Sequence, residues 1–162
     1  MTREWVRPVL TTVLLAVVLA GGLGGRHVSA ARQRSAEIIN SGSTNSGGYR
    51  MVVCESGRVK YEPGKPPHVM GPRNSEMNKE VEVDVGTKLT TKLFEDLDQA
   101  APLSRLPVVH CIKSASFGTT TVVSVGRERS PDLSCPGADH RMEALYKDVE
   151  AILGAIRSYS RH

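Results

Sequence analysis

The sequence predicts an α+β fold, an antiparallel sheet of about five or six strands, a usual sheet size, with two helices packed on one face. Three observations predict it. Residues 80–85 read Glu-Val-Glu-Val-Asp-Val, an alternation that suits a strand with one wet and one buried face. Two stretches, 87–101 and 139–157, repeat apolar residues at intervals of three and four, the period of a helix with a core-facing stripe. Short apolar runs broken by Ser/Gly turns occupy much of the remainder, the pattern of hairpins.

With 162 residues, 40% of them hydrophobic and 23% charged, the chain suits one globular domain rather than two. Only 4% is aromatic, so the core must rest on Val, Leu, Ile and Met. The formal charge of +4 falls to +2 if residues 1–30 leave with Arg3, Arg7, Arg26 and Glu4. A nucleic-acid partner asks for a dense Lys/Arg patch interleaved with aromatics, and the sequence has none. Nucleic acid is therefore not an expected partner.

Residues 1–30 carry the export pattern. Arg3 and Arg7 lead, Val9 to Leu23 is apolar apart from Thr11, Thr12 and two glycines, and Val28-Ser29-Ala30 offers small residues for cleavage. That is the build of a signal peptide. The competing reading is a membrane anchor over residues 9–25, but a span needs about 20 apolar residues, and this run is shorter and ends in glycines. The expected location is exported, periplasmic or secreted. Membrane contact is expected only through an uncleaved N-terminal segment.

Behind this segment, residues 31–48 read as a polar leader, a short strand at Glu37–Asn40 and a Gly/Ser loop, with the α+β domain proper over 49–162. The Ser41–Gly48 loop is followed by a strand rather than a helix, so it lacks the helix N-terminus that a phosphate cradle needs. Tyr49–Cys54 and Arg58–Glu62 flank Glu55-Ser56-Gly57 and predict a hairpin. Its register would set Met51 and Val53 on one face, opposite Val59 and Tyr61. Residues 63–75 hold four prolines and two glycines and predict a loop, in which His68 is exposed.

Thr87 is the expected cap of the first helix, whose stripe is Leu89, Leu93, Phe94, Leu97 and Ala100, with Glu95, Asp96 and Asp98 on the wet side. Pro102 ends it. Val108-Val109 and Phe117–Val125 read as extended pieces, and Gly126–Arg129 as a polar turn. The final helix starts after Pro136-Gly137 with Asp139 as its cap, and its stripe is Met142, Leu145, Val149, Ile152 and Ile156. Arg157, Arg161 and His162 near its end suit the helix dipole.

The chain has three cysteines. In an exported protein that number suggests one disulfide and one leftover thiol. Cys111 and Cys135 bracket the hairpin-like stretch, whose ends should return together, so their pairing is the expected one. The count alone leaves pairings through Cys54 open. Cys54 sits beside Val52 and Val53, where a buried small apolar side chain is explanation enough. A zinc site of His110, Cys111, Cys135 and His140 would use the same sulfurs. Adjacent strand residues point to opposite faces and zinc sites draw on tight C-x2-C or H-x3-H turns, so the disulfide outranks it and no metal is expected. The three carboxylates of 80–84 lack the looped ligand set of a calcium site.

An enzyme needs a nucleophile and a base. Candidates are Ser114 and Ser116 with His110, or Cys54 with His68 or His110, but no G-x-S-x-G elbow or S-x-x-K motif is present. No cofactor motif appears, and no cofactor is expected.

The patterns G-Y-x3-V-x3-G-x-V-x-Y from Gly48 to Tyr61, C-x-K-S-x-S-F-G from Cys111 and S-P-D-L-S-C-P from Ser130 resemble those of an uncharacterised group of small exported bacterial proteins of unknown function. The resemblance implies an exported α+β domain and no activity. The expected function is an exported, non-enzymatic binding or structural module of the bacterial envelope whose partner is an envelope or extracellular protein or polymer. The alternatives are a small secreted hydrolase with a Ser or Cys nucleophile and a protease-inhibitor-like module that presents the 63–75 loop.

Overall fold

The computed structural model describes residues 33–64, 80–114, 116–135, 137 and 139–159. The chain runs β1 (Ser35–Asn40), β2 (Tyr49–Cys54), β3 (Arg58–Pro63), β4 (Val81–Asp84), α1 (Thr87–Ala100), a 3-10 turn at Leu103–Arg105, β5 (Thr121–Val125), β6 (Glu128–Arg129) and α2 (His140–Tyr159). The strands make one six-stranded sheet in the order β4-β3-β2-β1-β5-β6, all neighbours antiparallel. The expected signal segment, residues 65–75 of the Pro-rich loop with His68, and the terminal Arg161 and His162 lie outside the described residues.

The β2–β3 hairpin has the expected register, Met51 opposite Tyr61 and Val53 opposite Val59. Gly57 makes its turn possible: its φ is 101°, and a Cβ there would lie 2.8 Å from the Asp84 Oδ1. The Val85 N–H donates to the Gly57 carbonyl at 3.0 Å, which ties the hairpin turn to the end of β4. The acid–valine alternation also folds as expected, with Val83 buried and Glu80, Glu82 and Asp84 exposed.

Alternation sorts the strands into two faces. On one, Ala36, Ile38, Met51, Val53, Val59 and Val123 are buried, and they share a core with Leu93, Phe94 and Leu97 of α1 and Leu145, Val149, Ile152 and Ile156 of α2. Each such Leu or Ile contributes about 1.5–3 kcal/mol by leaving water, so this apolar layer holds both helices on the sheet. The opposite face, to which neither helix contributes, mixes charged side chains with Ile39, Val52 and Val122. There Arg50 bonds Glu37 at 2.6 Å and Glu62 at 3.1 Å, Lys60 pairs with Glu80 at 2.9 Å, and Arg58 with Glu82 at 3.7 Å.

Four expectations are corrected. The domain begins well before residue 49: β1 is an interior strand, paired to β2 on one side and β5 on the other. Its alternation of Ala36 and Ile38 with polar neighbours gives it a core face of its own. Thr87 is the first helical residue rather than the cap, and the cap position belongs to Gly86, with φ 82°, whose N–H donates to the Asp84 carboxylate at 2.8 Å. Residues 117–120 are not strand, because Ser116 and Phe117 turn the chain before β5 starts at Thr121. Cys54 is free and half-buried, not a core residue; the strand's alternation puts it on the opposite face with Arg50 and Val52.

Asp139 does cap α2. Its carboxylate accepts the Arg141 backbone N–H at 2.8 Å and the Arg141 guanidinium at 2.8 Å. These bonds, the guanidinium first, hold the Asp139 carboxyl below the ordinary range. At the other end of the core Arg34 lies 4.9 Å over the Phe94 ring and bonds Asp98 at 2.6 Å, fastening the start of β1 to α1.

Asp96 is the residue the helix pattern misplaces. It is only 6% exposed, paired with Lys92 one turn earlier and hydrogen-bonded to Asp148 of α2. One oxygen of Asp148 is buried without a partner. Burial first, and then Asp96, push the Asp148 carboxyl up to about 6.

Candidate functional site: the stapled loop

Cys111 and Cys135 form the expected disulfide, with Cα atoms 5.6 Å apart. Closing a loop with this separation of 24 residues stabilises the fold by about 3 kcal/mol on the chain-entropy model. Disulfides persist outside the reducing cytoplasm, so the staple marks a non-cytoplasmic chain. Among the described residues no helix is long and apolar enough to cross a membrane.

The staple fixes the segment between the 3-10 turn and β5. Residues 107–114 run without a turn, and exposure alternates along them: Val109, Cys111 and Lys113 are partly buried, while Val108, His110, Ile112 and Ser114 face solvent. The segment is extended, as Val108-Val109 suggested. It is not a strand of the sheet, because no neighbouring strand meets it among the described residues. Val108 and Phe117 are each 71% exposed, and Ile112 is fully so.

Lys113 anchors this segment from inside. Its ammonium donates to the Thr119 carbonyl at 2.5 Å, to the Ser134 hydroxyl at 2.7 Å and to the Asp132 carboxylate. An ammonium has three donors, and all three are used. Asp132 also accepts the Thr121 and Ser134 backbone N–H groups, each at 3.0 Å. Burial alone would raise the Asp132 carboxyl, but the bonds from Lys113, Ser134 and Thr121 outweigh it and hold it below the ordinary carboxylate range.

The Gly/Ser loop braces the other side. The Ser43 hydroxyl donates to the Ser116 carbonyl at 2.7 Å, the Ser41 N–H to the Thr120 carbonyl at 2.9 Å, and the Asn40 amide to Thr119 and Thr121 hydroxyls at 3.0 and 2.9 Å. The apparently featureless Ser41–Gly48 loop is thus the support under the KSASFG segment. Gly48 is required there, since a Cβ would fall 2.1 Å from the Asn40 carbonyl oxygen.

Among the described residues the candidate chemistry does not assemble; the Cys54–His68 pair lies outside them, because His68 does. The Ser114 hydroxyl accepts the Ser116 N–H at 3.3 Å, the Ser114 carbonyl accepts the Gly118 N–H at 2.7 Å, and the Ser116 carbonyl is held by Ser43. Among the described residues no serine or cysteine is hydrogen-bonded to His110 or His140, and the His140 side chain is exposed. Ser134 does meet an amine, but an ammonium that donates to three acceptors has no lone pair to take a hydroxyl proton. The zinc reading fails on its sulfurs, which are joined to each other. The Lys113–Asp132–Ser134 cluster is what sequence reasoning missed. Both of its halves lay in segments singled out as motifs, yet no spacing rule joins residues 19 apart across a loop.

Beside the staple lies a small, mostly apolar recess of about 190 Å³ lined by Leu133, Ser134, Cys135, Glu143, Tyr146 and Lys147. It is smaller than the usual small-molecule site of about 300–1,000 Å³ and has room for one side chain. No protein-family model matches the chain, and no curated protein matches it.

Proposed function

We propose that the chain is an exported, non-enzymatic binding module of the bacterial envelope, and that it docks a protein partner through the stapled loop 107–118. One observation carries the reading: a segment without sheet or helix pairing among the described residues is fixed by a disulfide, a partly buried ion pair and backbone bonds, yet holds Val108, Ile112 and Phe117 out in water. Fixing a loop before binding removes much of the ordering cost of association. Three strongly exposed apolar side chains on one fixed loop support a contact surface there. The export half of the proposal is supported by the pattern of residues 1–30 and by the disulfide.

The experiment expresses the full-length chain in a bacterial host, fractionates the cells and weighs the purified protein. The same preparation is then used to retrieve partners from envelope extract, with an Ile112→Ser/Phe117→Ser variant alongside. The expected result is an envelope or secreted protein that has lost about 30 residues, the length of a signal peptide, and that holds a partner the variant does not. Cytoplasmic retention of the intact chain would overturn the compartment. Equal retrieval by the variant, or no retrieval dependent on the loop, would overturn the docking site.

A further inference from the structure

At the far side of the sheet, β4 is the last strand. It pairs with β3, and among the described residues nothing pairs with its other side. A free edge presents backbone N–H and C=O groups to any extended chain that can align with them. Val83 of this strand faces the helices and Val81 shares its side, while Glu80, Glu82 and Asp84 face the open side of the sheet. Between β4 and the last turns of α2 runs a groove of about 270 Å³ lined by Val83, Asp84, Val85, Ala155, Ser158 and Tyr159, with the Tyr159 ring largely exposed.

The charges say which chain would fit. Across the open face Arg58 and Lys60 of β3 stand opposite Asp84 and Glu82 of β4, and they also reach diagonally to Glu82 at 3.7 Å and to Glu80, just before the strand, at 2.9 Å. Positive faces negative at each step, and β4 ends the series on acid. Opposite charges directly across two strands attract, and like charges repel. We infer that the β4 edge takes up an extended segment of a partner protein in which basic and apolar residues alternate, the basic ones lying against Glu82 and Asp84 and the apolar ones in the groove beside Val83 and Tyr159. A second copy of this chain is the wrong occupant. Its own β4 would set acid against acid along the same face.

This mode joins backbone pairing, which supplies affinity, to alternate side-chain pockets, which supply specificity. It is independent of the stapled loop, which lies beyond the opposite half of the sheet. The opposing view holds that the acids only keep the edge from pairing with anything; it predicts that no peptide binds.

The test titrates purified, oxidised protein into three labelled peptides of equal length, blocked at both ends. One alternates Lys and Val, one alternates Glu and Val, and one has the Lys and Val residues in separate blocks. The expected result is binding of the alternating Lys/Val peptide alone, weakened by salt, with slowed hydrogen exchange at β4 amides. Glu82→Lys, on an exposed side chain, should weaken that binding about five- to tenfold, the effect of turning attraction into repulsion at one cross-strand pair, and should favour the Glu/Val peptide. The Ile112→Ser/Phe117→Ser variant should bind the peptide as the parent does, which separates this site from the loop. Equal binding of the block peptide, no effect of Glu82→Lys, no protection at β4, or no binding at all would each overturn the inference.

Discussion

Replacing Asp148 by asparagine should make the protein more stable at neutral pH and no more stable in acid. In the folded chain this carboxyl is raised from 3.8 to about 6, because it is packed between α1 and α2 and shares a hydrogen bond with Asp96, with Lys92 as the one nearby cation acting on it. A folded value above the unfolded one means that the native state holds the proton more tightly. The stabilisation is therefore complete below pH 3.8 and lost as pH rises through about 6. A shift of this size corresponds to about 3 kcal/mol at 1.36 kcal/mol per unit. The side chain is only partly buried, so solvent screening brings this to about 1–2 kcal/mol. Asparagine keeps a donor for Asp96 and carries no charge at any pH. Urea unfolding at pH 4 and pH 7.5 should show the variant about 1–2 kcal/mol above the parent at the higher pH and level with it at the lower. Asp132 and Asp139, whose carboxyls are lowered, act in the opposite sense and below this window. A parent–variant difference that does not change between the two pH values would refute the reasoning.

Two further outcomes follow from the same structure. Lys113→Met should cost about 2–3 kcal/mol by stranding a partly buried carboxylate, and adding Asp132→Asn should recover part of the loss; unfolding curves that show no recovery would mean the pair is not the anchor. Gly57→Ala should cost about 1–3 kcal/mol, since φ at 101° strains any side chain and the new methyl meets the Asp84 carboxylate; an unchanged melting temperature would count against the turn geometry.

The fold was readable wherever pattern and spacing act locally. Alternation in 80–85 and the Gly57 turn set two strands and their register, and the leucine and isoleucine stripes set both helices. The Cys111–Cys135 pairing was also readable, because the segment between the cysteines turns back on itself. What escaped depends on partners far along the chain. β1 looks like part of a leader until β5, some eighty residues later, closes on its other side. Asp96 looks wet beside Glu95 and Asp98, and only Asp148 on the second helix makes its buried position tolerable. Val108-Val109 carries the composition of a strand but meets no neighbour to pair with among the described residues, so composition and pairing disagree. The Lys113 anchor joins two loops, where no periodicity exists to read.

The place of β1 in the sheet also bears on how the chain is made. β1 to β4 form an antiparallel series that can assemble as soon as residue 84 is available, but β1 then stands as an open edge until Thr121–Val125 arrives. Contacts this distant in sequence form late, and unpaired edges invite wrong partners in the interval. The Asn40 amide reaches Thr121 across 81 residues, so it closes that seam at the moment β5 docks. A newly made chain therefore passes through a four-stranded sheet in which a strand that ends up in the interior is still an open edge, and that interval is when it most needs shielding from other chains.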